Sequence, residues 1–448
     1  METNNTQIQT VKTAPPPASL PILGRVEQKD VSFFGRTNYA AALEEKKFVF
    51  GIARADRRRN MYIVGKGGVG KTKLIELLMR QDISQGYGLC LLDPNGELLE
   101  EILHFIPEER VKDVVVVDPS DASAPVSFNP FFNIDPEFRH QMAEGIIEII
   151  RGQFGSNWSS GMEHVLRFAI LAVLDYEKAT LPCLVKIFTD EHFRNVVANS
   201  SKDSIVARFW RFEYDKLLAQ SETERNIIIP LLNKLTQILT NPMLARIFEN
   251  YGNKISMSSF IESRKIVLIN LAKARLGKDN SSFLAGLFIL KLKQAGLVRM
   301  RTIPEQERMD FYLYIDEFHH YVTETFETLL FDGGKYHIPV TISHQYFGQV
   351  IDHFKNSVLA NVGTLITFRL GGEDATSMEA ELAPVFKAKN IVNLGKRQFY
   401  IKMMIDGEIH DPFSAETLKV LSPRHRSLKR QILTESAARY SNAVRSEE

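Results

Sequence analysis

The chain has 448 residues, is 44% hydrophobic and carries 55 basic against 54 acidic side chains, for a formal net charge of +1. That size buries a large core over more than one domain, while the balanced charge excludes a whole-molecule field for nucleic acid, so any DNA site must be a local basic surface. Two cysteines, Cys90 and Cys183, give no disulfide framework, and the longest apolar runs, over 283–290 and 168–174, are too short for a membrane span; no direct membrane insertion and a reducing cytoplasm are the expectation.

Residues 1–28 hold few large apolar groups and include Pro15-Pro16-Pro17, the composition of a disordered tail. A short lead-in ends in Arg54, Arg57, Arg58 and Arg59, which reads either as a solvated edge or as a contact to phosphate. The first part of a nucleotide-binding domain is expected over 29–134.

Within it, MYIVGKGGVGKT (61–72) runs an apolar strand into a glycine-rich turn that fits the G-x-x-x-x-G-K-[ST] phosphate loop. Backbone N–H groups converge on an anion only where no side chain intrudes, which Gly65, Gly67, Gly68 and Gly70 allow; Lys66 and Val69 complete the loop. Lys71 is expected at the β and γ phosphates of ATP. Thr72 offers a hydroxyl to Mg²⁺, and the next helix aims its positive dipole end at the anion. A second buried strand ends at Asp93, either beside the nucleotide or as a turn cap, and a third reads VVVV (114–117).

From 135 to 261 strands vanish and the apolar spacing turns helical, predicting an all-helical insertion domain. The aromatics of RFWR (208–211) fit a helical core better than a base-stacking surface. Strands resume over 262–421, the second part of the nucleotide-binding domain. FYLYIDEF (311–318) ends in Asp316-Glu317: Asp316 is suited to hold Mg²⁺ and Glu317 to polarise the attacking water. Gln345 closes the next strand, where an amide senses the γ-phosphate or orients water. His319, His320, His337 and His344 have no carboxylate at ligand spacing and are not read as a metal site. Residues 422–448 form a basic tail. Near-continuous apolar strands alternating with helices predict an α/β fold, a P-loop NTPase with a mostly parallel central sheet and an all-α inserted domain.

Taken together, DRRRNMYIVGKGGVGKT, LLDPNGELLEEIL, FNPFF, LYIDEFHHYV, ISHQYFGQ and FRLGGEDA resemble the TraD/TraG-type coupling ATPases of type IV secretion and conjugation, within the FtsK/HerA superfamily, over nearly the whole chain. The resemblance implies a RecA-like motor, a homo-hexamer that translocates DNA without sequence preference through a central channel, and work beside a relaxase or a secretion-channel component, peripheral to the inner membrane. It carries Lys71, Thr72, Asp316, Glu317 and Gln345 over in the roles already given. Three departures stand out: no transmembrane helices precede the motor, the loop centre is Gly67-Gly68-Val69, and the position of the family's finger arginine is Gly334. Lys335 and the strand-end Arg369 are the substitutes the sequence offers. Two other readings compete: a ring subunit with weak hydrolysis, and a ParA/MinD-like ATPase suggested by Lys66 but opposed by the downstream motifs.

Overall fold

The computed structural model describes residues 11–39, 47–220, 222–346, 352–423 and 425–441. Strand side chains alternate between faces, and that alternation sorts the apolar residues into two cores, one on each side of a single sheet. Met61, Ile63, Leu89 and Leu91 face one core; Tyr62, Val64, Cys90 and Leu92 face the other.

In chain order the strands are β1 Val31–Thr37, β2 Val49–Ala53, β3 Met61–Val64, β4 Gly88–Asp93, β5 Val114–Val117, β6 Ile266–Asn270, β7 Phe311–Ile315, β8 Val340–His344, β9 Thr364–Thr367, β10 Gln398–Ile405, β11 Glu408–Ile409 and β12 Phe413–Thr417. They order as β2-β1-β12-β10-β9-β3-β8-β7-β4-β6-β5, with β11 beside β10. From β9 to β5 every pairing is parallel; from β9 to β2 every pairing is antiparallel. The parallel half is the α/β fold expected from the sequence. The antiparallel half extends it with β1, β2 and β12, which the sequence pattern does not single out as strands.

Between β5 and β6 the described residues form helices and no strand. These helices are not detached from the sheet, because Ile146, Leu166 and Trp210 belong to the same continuous core as Tyr62 and Leu92. Trp210 is 1% exposed and donates its indole N–H to the Phe168 carbonyl at 3.1 Å, so it is a core residue and not a stacking platform. The helix Lys278–Thr302 is long and apolar enough by composition to cross a membrane, yet most of it is buried inside the fold, with Phe283, Leu287 and Leu292 in the core.

Two terminal stretches differ from expectation. Residues 11–28, expected within a disordered tail, lie along the antiparallel half of the sheet. Ala14 donates its N–H to Ser414 at 3.0 Å, and Leu20 and Ile22 are buried. Gly51 of the edge strand β2 donates to the Pro21 carbonyl at 3.0 Å. A proline-rich segment has little backbone freedom to lose, so a few buried contacts suffice to hold it. At the other end, part of the expected basic tail forms the helix Lys429–Tyr440, which packs on β5 through Val116 N–H donating to Ser436 Oγ at 2.9 Å. Residues 1–10 and 442–448 of the two expected tails, residues 347–349 of the motif after Gln345, and the side chain of His320 lie outside the described residues.

The basic cluster also divides. Arg54 and Arg57 are buried and both pair with Asp82 of the helix Lys71–Ser84, at 2.9 and 2.8 Å, while the Tyr314 hydroxyl donates to the same carboxylate. They form an internal clamp and not a solvated edge. Arg58 pairs with Asp310 at 2.8 Å, and Arg59 is exposed.

Candidate nucleotide site

Parallel strands deliver their carboxyl ends to one rim of the sheet. The phosphate loop leaves β3, Gln345 leaves β8, Asp316 and Glu317 leave β7, and Asp93 ends β4, four neighbours in sheet order. Residues some 280 positions apart in sequence thereby meet, since Val64 pairs with His344 and Ile342 with Ile315.

The loop is pinned at both ends. Gly65 donates its N–H to the His344 carbonyl at 3.3 Å and Lys66 donates to the Arg369 carbonyl at 2.9 Å. Gly68 has φ +72° with no atom within 4 Å of where a Cβ would stand, and Gly70 has φ +127° at the start of the helix Lys71–Ser84. These open, left-handed turns leave N–H groups free to surround an anion. Lys71 is 6% exposed and folds back to donate to the carbonyls of Gly65 at 2.6 Å and Lys66 at 3.2 Å. Burial lowers its ammonium below the ordinary lysine value, while the charges of Glu317 and Asp316 oppose that shift. Thr72 follows, half-buried.

Asp316 Oδ1 accepts from the Glu317 N–H at 3.0 Å and from the Ser343 hydroxyl. Burial pushes its carboxyl above the usual range; the Ser343 hydrogen bond opposes this and the Asp93 charge adds to it. Glu317 is raised as well, again by burial first. Its backbone is left-handed at φ 51°, and its Oε1 accepts from Gln345 Nε2 at 2.8 Å. A buried pair of carboxyls facing an ammonium, a hydroxyl and open N–H groups fits a magnesium–nucleotide: the cation would relieve the burial of Asp316, and the loop would take the phosphates.

Other expectations shift. Asp93 is 3% exposed, with Oδ1 accepting from Asn95 N–H at 3.0 Å and Oδ2 from Leu99 N–H at 2.9 Å. It caps the helix Glu97–Phe105, each oxygen accepting one backbone N–H. Arg369 is exposed on the phosphate-loop rim. Lys335 pairs with Asp332 at 2.8 Å at the opposite end of the sheet, beside Gly334, Arg58 and Arg59.

Sequence reading missed one wall of the site. A cleft of 480 Å³ lies beside the loop, bounded by Lys73, Glu76 and Arg80 on one side and by Arg397 and residues 417–423 on the other. Arg397 donates its N–H to the Val69 carbonyl at 2.9 Å, and Thr417 donates to the Arg397 carbonyl at 2.8 Å, tying β10 and β12 to the phosphate loop. The only sequence signal was the Gly395-Lys396-Arg397 turn before β10.

The family model of the type IV secretion-system coupling protein DNA-binding domain matches residues 50–383. Among solved structures, the plasmid coupling protein TrwB in complex with ADP and Mg²⁺ is 15% identical, aligned over 84% of this chain and 89% of that one, with a TM-score of 0.63. TrwB with a non-hydrolysable ATP analogue gives 15%, 83%, 88% and 0.61. VirB4 of Thermoanaerobacter pseudethanolicus gives 12% identity over 86% of this chain and 98% of that one, with a TM-score of 0.56. At these identities the likeness concerns the fold. Searched by sequence, curated proteins give no match.

Proposed function

The chain belongs to the type IV secretion-system coupling protein DNA-binding domain family, and on that premise we propose that it is an ATP-driven, ring-forming motor that moves DNA. The observation that carries the reading is the meeting of the phosphate loop, Gln345 and the Asp316-Glu317 pair on adjacent parallel strand ends. In this reading the N–H groups of residues 65–72 and the Lys71 ammonium hold the β and γ phosphates of ATP. Thr72 and Asp316 would hold Mg²⁺, which would neutralise phosphate charge. Glu317 aligns a water for in-line attack and Gln345 reads the γ-phosphate beside it. The 417–423 segment covers the nucleoside. DNA is gripped through its backbone phosphates by a local basic lining, and a homo-hexamer works in the cytoplasm beside the inner membrane with a relaxase or a channel component.

One observation favours a weaker enzyme, a ring subunit that binds nucleotide and hydrolyses it slowly: Gly334 offers no finger arginine. Turnover measured with and without single- and double-stranded DNA, alongside mass in solution, separates the two. The motor reading expects DNA-stimulated turnover in an assembled ring, no nucleotide binding by Lys71→Ala, and binding without cleavage by Glu317→Gln. Wild-type turnover in Glu317→Gln sinks the catalytic assignment. DNA affinity that ignores added salt sinks the phosphate-grip assignment.

A further inference from the structure

We propose that His319 is a positioning residue for Glu317, its ring and the Gln345 amide gripping the two oxygens of one carboxylate from opposite sides. Gln345 Nε2 stands 2.8 Å from Oε1, and His319 Nδ1 stands 3.5 Å from Oε2. The second spacing is inside ion-pair reach but too long to count as a hydrogen bond. Both side chains are shielded, at 6% exposure for His319 and 13% for Glu317, so the contact is only weakly screened by solvent.

The reason a residue two positions on can reach back is the backbone. Glu317 sits at φ 51° and ψ 46°, a region that disfavours any residue with a Cβ, and the turn Phe318–His320 coils directly after it. Such a conformation persists only where the surroundings fix it. His319 is itself backed by His344, with ring centroids 6.4 Å apart. His344 stacks on Tyr62 at 5.4 Å with rings 6° from parallel, and its Nδ1 lies 3.0 Å from the Tyr62 hydroxyl. Burial, then the charges of His319 and Lys71, push the His344 imidazolium down to about 3, so this backing ring stays neutral. A row of side chains thus runs from the strand that carries the phosphate loop, through the strand that ends in Gln345, to the turn that carries Glu317. A carboxylate that must present one lone pair to water gains direction from being held at both oxygens.

The inference rests on Glu317 as the group that aligns water. Full-length His319→Ala, His319→Phe and His319→Asn are compared with wild type for ATP turnover and for nucleotide affinity, each alone and with Glu317→Gln. Asparagine keeps a donor near the Nδ1 position; phenylalanine keeps the ring and loses the donor. Expected are a fall in kcat of about 10- to 100-fold in the alanine and phenylalanine variants, nucleotide affinity within about twofold, recovery in asparagine, and no further loss below the single-turnover residual rate of Glu317→Gln. A phenylalanine variant as fast as wild type makes the ring a filler and overturns the inference. So does an asparagine variant as slow as alanine, or losses that multiply with Glu317→Gln. If Glu317→Gln alone turns over at the wild-type rate, the functional reading fails instead, and the two failures are told apart.

Discussion

Gly334 lies so close to the backbone of Arg58 that a Cβ there would stand 2.4 Å from the Arg58 carbonyl oxygen. The position where related chains are expected to carry a finger arginine therefore has no room for one here. Restoring the arginine should not restore a fast enzyme: Gly334→Ala is expected to cost about 1–3 kcal/mol by overpacking and Gly334→Arg at least as much. Thermal and urea unfolding of both variants check this, and a stable Gly334→Arg protein with raised turnover would refute it.

The same groove holds the alternative cation. Arg58 and Lys335 are committed to Asp310 and Asp332, whereas Arg59 is exposed on the sheet end opposite the phosphate loop, so in the proposed ring it would face a neighbour's nucleotide and not its own. A finger arginine is worth about 10³–10⁵ in rate. Arg59→Ala should lower turnover in the ring while nucleotide affinity stays unchanged. Mixing Arg59→Ala with Lys71→Ala subunits should then recover activity at the mixed interfaces. Absence of any recovery sinks a role in trans.

Asp82 is a single-site weak point for stability, because its fully buried carboxylate pairs with both Arg54 and Arg57 and also accepts from Tyr314. Removing it leaves two guanidiniums buried without a counter-charge. Asp82→Ala should cost about 3–5 kcal/mol or more and reduce soluble yield. Urea denaturation decides, and a loss under about 1 kcal/mol would show that water or rearrangement compensates.

How legible the site was depended on where its information lies. The phosphate loop and the Asp316-Glu317 pair are local patterns of backbone freedom and charge at strand ends, and they could be read in one dimension. The cap that Asp93 makes for Asn95 and Leu99 depends on turn geometry that a strand-end position does not reveal. Arg54 and Arg57 read as surface because burial of a guanidinium depends on a partner, Asp82, that only the fold brings close. The strands β1 and β12 pair across most of the chain and carry mixed polar residues, and β2 has only five residues, so periodicity was faint. The 417–423 wall is built from backbone and turn geometry, for which composition gives no sign.

Acid should stabilise the ligand-free protein through its active carboxyls before it harms the rest. Burial raises Asp316 and Glu317 above their ordinary values of 3.8 and 4.5. A group whose folded value exceeds its unfolded value binds protons more tightly when folded. Its contribution is therefore present at low pH and lost as pH rises through the folded value. Asp316→Asn removes the buried charge yet keeps an oxygen for Ser343 and the Glu317 N–H. It should stabilise by about 1 kcal/mol at neutral pH, flatten the pH dependence, and abolish turnover. A destabilised asparagine variant would contradict this sign.

The last expectation concerns Arg80, which holds the far wall of the nucleotide cleft. Its guanidinium donates to the Leu421 carbonyl at 2.7 Å, pairs with the buried Glu76 and lies 4.7 Å from the Phe105 ring centre. Beyond Leu421 the chain stays tethered: His425 Nε2 is 2.9 Å from the Phe105 carbonyl, His104 meets Ser427 at 2.7 Å, and Lys429 pairs with Glu100. The Arg80 bond thus ties the Leu421 end of the cleft wall, the Thr417 N–H to Arg397 ties its start, and the others fix the segment further along. A hydrogen bond to a charged donor contributes about 1.5–3 kcal/mol, so its loss should weaken nucleotide binding by about tenfold. The phosphate loop, Glu317 and Gln345 are untouched, so kcat at saturation should move little. Titration of Arg80→Ala with a fluorescent ATP analogue, followed by turnover at saturating ATP, reads the two effects separately. An unchanged affinity would show that residues 417–423 do not cover the nucleoside, and a fall in kcat alone would place Arg80 with the reacting phosphates instead.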